Sequence, residues 1–334
     1  MQKDGKSQLL RAMVRGTYDV QKLRIQTGNR LVQNIKVKLG QEPGEGEDKL
    51  DDESKEILAA LRAKNKLLGD TVSEVKVEDE KASSADADKV LKLLTSAFGS
   101  IMDKRSKLPT PKSFKAHPVI SDYTELSLVA QYVDLKKHEE THFRRLKHVL
   151  GEFPIWNEFM LGVKGIGEAM AGVIVSEIDI HKARYPSSLW AYAGLDVAGN
   201  GAGRSRKKEH LVDVEYKDKE GKAATRKSIT FNPFLKTKLV GVLAGSFLKI
   251  GPDRSPYAKV YYDYKHRLEN HPKWVDRTKA HRHNAAMRYM IKMFLIDLYN
   301  AWRRLEGLPV APTYQEAKLG KKHGKEDGGT SAAA

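Results

Sequence analysis

The sequence predicts a mainly α-helical protein, with a helical N-terminal arm followed by a compact helical C-terminal domain. Most apolar residues recur every three or four positions, which is the spacing of one face of an amphipathic helix. Alternation of apolar and polar residues, typical of strands, flanks Lys217–Lys222 and predicts one small β-hairpin. With 334 residues, of which 40% are hydrophobic, the chain can bury a core in two or three domains.

The N-terminal region, residues 1–150, is predicted as helices joined by linkers. The helical pattern appears in four segments, at residues 1–40, 57–69, 89–102 and 124–150. Gly16 and Gly28 weaken the first of these helices. Three segments have the composition of linkers: the acidic residues 41–56, the polar residues 76–88 and the proline-containing residues 107–118. We interpret the region as an arm for oligomerisation or for nucleic-acid binding, and we expect a homo-oligomer.

The C-terminal domain, residues 151–312, is predicted to begin with a helix-hairpin-helix. An apolar helical segment precedes the glycines of Gly165-Ile166-Gly167, and an apolar helix of small residues follows them. Glycine permits the tight turn that this motif needs. The later elements are a β-hairpin pairing Leu211–Tyr216 with Thr225–Phe231, and helices at residues 233–248, 256–270 and 280–305. Residues 313–334 are predicted to be a disordered tail.

The charge of the chain predicts a polyanionic partner. Lysine and arginine number 59 against 43 acidic residues, which gives a formal net charge of +16. Nucleic acid is the first candidate for such a partner, and an anionic membrane is the second. No stretch approaches the roughly 18 consecutive apolar residues of a membrane span, and no signal peptide is evident. We therefore expect a soluble cytoplasmic protein without a membrane partner. The absence of cysteine excludes disulfides and cysteine-ligated metals.

The helix-hairpin-helix is a candidate site for the DNA backbone. Its second helix begins directly after the glycines, so its unpaired N–H groups and its positive dipole end can bind a phosphate. The predicted contacts are Lys164, Gly165, Ile166, Gly167 and Glu168. Substitution of either glycine by valine is expected to weaken DNA binding while the fold survives. The alternative is a glycine-rich turn between helices that binds no ligand.

A glycine-rich basic loop, residues 199–208, is the second candidate site. A run of small or flexible residues precedes four cations there, which predicts a mobile phosphate clamp whose affinity falls steeply with salt. The predicted contacts are Arg204, Arg206, Lys207 and Lys208, with Arg282 and Arg288 of the last helix as further contacts. The alternative is a solvated loop.

Aromatic and titratable residues of the C-terminal domain raise three further possibilities, namely base stacking, metal binding and nuclease chemistry. Four tyrosines interleave with basic residues and could stack on unpaired bases, although we expect half of them in the core: Tyr257, Tyr261, Tyr262 and Tyr264. The histidines lack the spacing of metal ligands, so no metal site is predicted. The carboxylates form no recognisable nuclease set, and no Walker loop is present.

The C-terminal domain contains three motifs in succession: the glycine hairpin with its helix ending Ser176-Glu177-Ile178, the step Tyr185-Pro186-Ser187, and Ala191-Tyr192-Ala193-Gly194-Leu195. Together they resemble the C-terminal domain of the DEDD-type insertion-sequence transposases, a family with a RuvC-like N-terminal nuclease domain. The resemblance covers roughly residues 155–305 and implies a DNA-binding protein of a mobile element, acting in transposition or recombination on duplex or branched DNA.

Two departures from that family bear on catalysis. The four acids of the RuvC-like domain have no match in residues 1–150. The family's serine pair, proposed as its nucleophile, falls where this chain has residues 199–203, and Ser205 is the nearest serine. We therefore predict a DNA-binding protein. One alternative is an active transposase that uses Ser205, with Mg²⁺ and a nuclease partner in trans. Another is an RNA-binding or scaffold protein, since the family's relatives handle structured RNA.

Overall fold

The computed structural model describes residues 5–42, 44–65, 92–103 and 105–313, together with Ala317. The fold is mainly α, as predicted, with one two-stranded antiparallel sheet in the described residues. The chain divides into two compact units, residues 12–145 and residues 1–11 with 146–334. The predicted polar linker 76–88 and most of the predicted tail lie outside the described residues.

The first unit is a group of helices around its own core. Its helices are α1 (Gly5–Lys38), α2 (Asp52–Asn65), α3 (residues 92–101) and α4 (Tyr123–Leu150). α1 continues through Gly16 and Gly28, since its apolar stripe is buried on both sides of them. Leu50, from the acidic segment predicted as a linker, is buried in this core, and Phe114, from the proline-containing segment, packs against it. Those segments are therefore ordered parts of the unit.

A buried ionic network joins α1 to α4. Glu139 of α4 accepts a hydrogen bond from Gln21 Nε2 at 2.8 Å and pairs with the guanidinium of Arg24. Near the other end of the unit, Lys38 Nζ lies 3.1 Å from Glu125 Oε2, and the Glu125 side chain is 1% exposed. Each buried carboxylate is thus paired with a cation, as burial of a charge requires.

The second unit contains the β-hairpin and the segment predicted as a helix-hairpin-helix. In that segment a five-residue helix and a short 3-10 turn, rather than one continuous helix, precede the glycines. The elements of the second unit are α5 (Pro154–Glu158), α6 (Glu168–Glu177), α7 (Pro186–Tyr192), β1 (Val212–Lys217), β2 (Ala223–Ser228), α8 (Pro233–Lys238), α9 (Ala244–Ile250), α10 (Pro256–Glu269) and α11 (Lys279–Leu305). The predicted helix at 233–248 is observed as α8 and α9, joined by a π-helical turn. The core gathers around α6, which is buried over most of its length, and around the apolar face of α11.

Side-chain caps define where the later helices begin. Asn232 Oδ1 accepts the Leu235 N–H of α8 at 3.1 Å, and Thr278 Oγ1 accepts the His281 N–H of α11 at 3.2 Å. Such caps satisfy N–H groups that have no partner inside the helix. Among the described residues, no helix is both long enough and apolar enough to cross a membrane.

Residues 5–11 of α1 belong to the second unit. Arg11 Nη2 lies 3.3 Å from Glu177 Oε2, and the Glu177 side chain is fully buried. Asn232 Nδ2 donates to the same carboxylate oxygen at 2.6 Å. The end of α6 is therefore tied both to α1 and to the cap of α8.

The β-hairpin is a solvent-exposed ribbon. Its register pairs Val212 with Ser228 and Lys217 with Ala223, close to the predicted pairing. All six residues of β1 are exposed. The backbone hydrogen bonds between the two strands stabilise the ribbon, and neither of its faces is buried against the core.

Candidate nucleic-acid interface

The turn of the helix-hairpin-helix has the backbone that its glycines predict. Gly165 has a φ of +102°, which strongly favours glycine, and Gly167 precedes α6 as its N-cap with a φ of −96°. Ile166 between them is buried, whereas Lys164 is exposed. Lys164 is thus available to a phosphate, and Ile166 anchors the turn.

Gly165 is also a packing position. A Cβ atom there would lie 2.9 Å from Phe247 Cδ1 and 3.0 Å from Ile250 Cδ1. The Gly165 carbonyl oxygen accepts a hydrogen bond from Ser246 Oγ at 2.7 Å. The expectation that Gly165→Val leaves the fold intact is therefore wrong. Gly167 has open space around it and an ordinary φ, so it remains suitable for testing DNA contact.

The N-terminus of α6 already holds an anionic group. Lys147 Nζ lies 2.8 Å from Glu168 Oε1, and this hydrogen bond, together with one from the Glu168 backbone N–H, lowers the pKa of the Glu168 carboxyl. The carboxylate thus occupies part of the place where we predicted a phosphate. Glu168 would have to move aside for a phosphate to reach these N–H groups.

The glycine-rich loop is a tight turn built on its own hydrogen bonds. Val197 and Gly203 form an isolated antiparallel bridge, and the Ala198 N–H donates to the Ala202 carbonyl oxygen at 2.8 Å. Asn200 Oδ1 accepts the Ala202 N–H at 3.0 Å. Residues 204–208, which include the predicted phosphate contacts, directly follow this turn in the chain.

Three of the predicted DNA-contacting arginines make bonds inside the protein. Arg204 donates from Nε and Nη2 to Asp196 Oδ2, at 3.0 and 2.7 Å. Arg288 Nη2 donates to the carbonyl oxygens of Gly194 and Asp196, at 3.2 and 3.0 Å. Arg282 Nη1 donates to backbone carbonyls of residues 274, 275 and 277. These side chains therefore position the loops around them, whereas Arg206, Lys207 and Lys208 are exposed.

Two lysines that the sequence analysis did not select join this region. Lys236 of α8 donates from Nζ to the Arg204 carbonyl oxygen and lies 4.7 Å from the centre of the Phe231 ring. Lys292 of α11 places its Nζ 5.2 Å from the centre of the Trp190 ring. Both ammonium groups are partly buried against aromatic faces, which favour a cation.

Positive charges predominate among the ionisable groups of this region. Burial, with repulsion from Arg288 and Arg206, lowers the pKa of Lys236 to about 8. Burial, with repulsion from Arg288, also lowers the pKa of Lys292. In the described part of the chain, Asp196 is the carboxylate that opposes these charges. We call the group the cation cluster, which comprises Arg204, Arg206, Lys236, Arg288 and Lys292.

Ser205 lies beside the cation cluster and is paired with His210. Ser205 Oγ lies 2.8 Å from His210 Nδ1, and the Ser205 backbone N–H donates to the same nitrogen at 3.0 Å. Because a backbone N–H can only donate, Nδ1 is unprotonated and the neutral ring carries its proton on Nε2. Nε2 lies 3.3 Å from Asn200 Oδ1, its acceptor. His210 is thus oriented as a base toward Ser205, and the same bonds brace the loop.

His210 and Asn200 were missed from the sequence, although a serine five residues before a histidine in a glycine-rich loop is a visible signal. Within the described ranges, no group of three or more His, Asp and Glu side chains is arranged to hold a metal ion. Comparisons of the chain with protein-family models, with curated proteins and with solved structures give no match in any of the three.

Proposed function

We propose that this protein binds DNA through the phosphate backbone, as a component of transposition or recombination. The cation cluster is the observation that carries the proposal. Burial, with repulsion from neighbouring cations, lowers the pKa of Lys236, so keeping this charge costs folding free energy in the free protein. A phosphate placed among them would relieve that repulsion and gain charge-assisted hydrogen bonds.

Exposed cations nearby in sequence extend the proposed surface. Arg206, Lys207 and Lys208 follow the glycine turn without burial, and Lys164 is exposed at the helix-hairpin-helix. Contacts of this kind fix a protein on nucleic acid without reading bases. The proposed binding is therefore tight at low salt and weakly dependent on sequence.

The link to transposition rests on the resemblance over residues 155–305. Residues in and next to the motifs that carry it also contact the cation cluster. The Gly194 carbonyl oxygen accepts a hydrogen bond from Arg288, and the ring of Trp190, in the preceding helix, contacts the ammonium group of Lys292. Gly194 has a φ of +64°, and a Cβ there would lie 2.6 Å from the Phe231 ring. The shared motif thus coincides with the residues that orient the cations.

The test is a binding titration of the purified protein against duplex DNA, a four-way junction and a structured RNA across a salt series. The slope of log K against log salt reports the number of phosphates neutralised, at about 0.9 for each contact on duplex DNA. Lys236→Met and Lys292→Met should each reduce that slope by about one contact. Lys112→Met, at an exposed position of the other unit, removes the same charge and serves as the control. A salt-independent affinity would overturn the proposal, and a preference for the RNA would favour an RNA-binding protein.

A second candidate function is strand transfer with Ser205 as nucleophile, and the 2.8 Å contact with His210 favours it. In that reaction the Ser205 oxygen bonds to phosphorus while the bond from phosphorus to a deoxyribose oxygen breaks. The serine proton passes to His210 Nδ1, and the leaving oxygen takes a proton from water. Ser205→Ala removes the hydroxyl and keeps the backbone N–H bond that braces His210. A protein–DNA adduct formed with Mg²⁺ and lost in this variant would establish the enzyme, whereas intact DNA in both would exclude it.

A further inference from the structure

The tyrosines of α10 divide into core and surface. Tyr257 and Tyr261 are buried, and Tyr261 is hydrogen-bonded through its hydroxyl to His283 Nδ1 at 2.6 Å. Tyr262 is 46% exposed, and Tyr264 is partly exposed on another face of the helix. Packing of the core thus accounts for two of the four rings. Of the other two, Tyr262 contacts the Tyr261 ring edge-on, and Tyr264 remains to be explained.

Tyr264 of α10 stacks face to face on an aromatic ring of α11. Its ring stacks on that of Tyr289, with centroids 4.0 Å apart and planes inclined by 13°. The Arg267 guanidinium carbon lies 4.6 Å from the Tyr264 ring centre and 5.9 Å from that of Tyr289. Arg267 is exposed, and both tyrosines are partly exposed. We call these three residues the aromatic platform.

The aromatic platform continues from the cation cluster along α11. Tyr289 stands one helical turn before Lys292 of the cluster, so these two side chains are neighbours along α11. The exposed cation Arg267 follows Tyr264 on α10 within three residues. A nucleic-acid strand whose phosphates lie on the cation cluster would therefore run past the platform.

We propose that the aromatic platform stacks on an unpaired base of a nucleic acid whose phosphates occupy the cation cluster. This inference rests on the proposed function. Every base has a π-face, so stacking tolerates any sequence, and a guanidinium beside the rings adds a cation–π contribution. The bases inside a continuous duplex are already stacked and paired. The platform therefore selects strands, ends or branches with unpaired nucleotides.

The deciding experiment compares two strands with the same phosphates, an oligothymidylate and an abasic strand of equal length. The wild-type protein should bind the oligothymidylate about tenfold more tightly, because loss of one stacked base typically costs that much or more. Tyr264→Leu should abolish this preference while affinity for the abasic strand persists, and Tyr264→Phe should retain it. Tyr262→Leu, on another face of the same helix, is the matched control and should also retain the preference.

A second measurement does not depend on the folding of any variant. Ultraviolet crosslinking of a strand that carries 5-iodouracil should attach it to the wild-type protein at Tyr264 or Tyr289. Equal affinity of the wild-type protein for both strands, or crosslinks confined to other segments, would overturn the stacking proposal and leave backbone binding intact. Failure to bind either strand or duplex DNA would instead overturn the proposed function.

Discussion

Lys236 donates its ammonium hydrogen bond to the carbonyl oxygen of Arg204, the residue whose guanidinium is held by Asp196. The backbone and side chain of one arginine thus connect a half-buried lysine to a carboxylate. Asp196 opposes the lowering of the Lys236 pKa, but burial and repulsion from the nearby arginines outweigh it. The lysine is therefore a sensitive reporter of anion binding.

Replacement of Lys236 by methionine should stabilise the protein and weaken DNA binding. Methionine keeps the contact with Phe231 and removes a repelled charge, so we expect Tm at pH 7 to rise by about 3 °C. Differential scanning calorimetry beside a binding titration measures both effects. Because the pKa of Lys236 is lowered, its destabilising effect is present below pH 8 and fades as pH rises toward 10. A Tm gain that persists undiminished at pH 10 would contradict this explanation.

DNA affinity should fall as pH rises through 8. Below that value Lys236 is protonated and can contact phosphate, and above it the free protein must first take up a proton. Linkage limits the loss from this group to about tenfold per pH unit. The measurement is a titration from pH 7 to 9.5 at constant ionic strength, with Lys236→Met as the comparison. If the variant has the same pH profile as the wild-type protein, another group is responsible.

The two glycines of the helix-hairpin-helix should respond differently to valine. Gly165→Val adds a clash with Phe247 and a strained φ, which together cost about 3 kcal/mol of unfolding free energy. Gly167→Val meets no atom and should change stability by less than about 1 kcal/mol. Urea denaturation of both variants tests this difference. Gly167→Val is then the variant in which a change of DNA affinity reports on the turn itself.

Arg288→Lys should behave as a destabilising substitution. The guanidinium bridges the carbonyls of Gly194 and Asp196, and an ammonium group cannot reproduce that planar geometry. We expect a loss of about 2 kcal/mol of unfolding free energy, measured by urea denaturation. Lys112→Arg, an exposed exchange between the same two residue types, should leave stability unchanged. Equal effects of the two variants would show that the bridge is not important.

The exposed β-hairpin should be removable. Val212 and Ser228 face each other in the register, so a two-glycine link can replace residues 213–227 without a gap. Because β1 is exposed along its whole length, we expect Tm to change by no more than a few degrees. A thermal melt of the shortened chain measures this, and loss of cooperative unfolding would mean that the ribbon supports the core.

The long helices were predictable because their apolar period is sustained and their ends carry local signals. α4 and α11 begin within one residue of the predicted positions. The segments around Leu50 and Phe114 were mistaken for linkers, since each contributes only single apolar residues to the core and its overall composition is acidic or rich in proline. The cation cluster could not be predicted either, because tertiary packing alone brings residue 196, the 204–206 segment, α8 and α11 together. The pairing of Ser205 with His210 joins residues only five positions apart, so it could have been predicted from the sequence.

The ion pair between Arg11 and Glu177 spans 166 positions of the chain. At a synthesis rate of about 5–20 residues per second, Arg11 leaves the ribosome roughly ten to thirty seconds before its partner exists. During translation the start of α1 must remain unattached while the rest of α1 can already fold with α2 and α4. The second unit therefore closes upon a segment made before it, and the buried Glu177 meets its cation only after residue 177 has been synthesised.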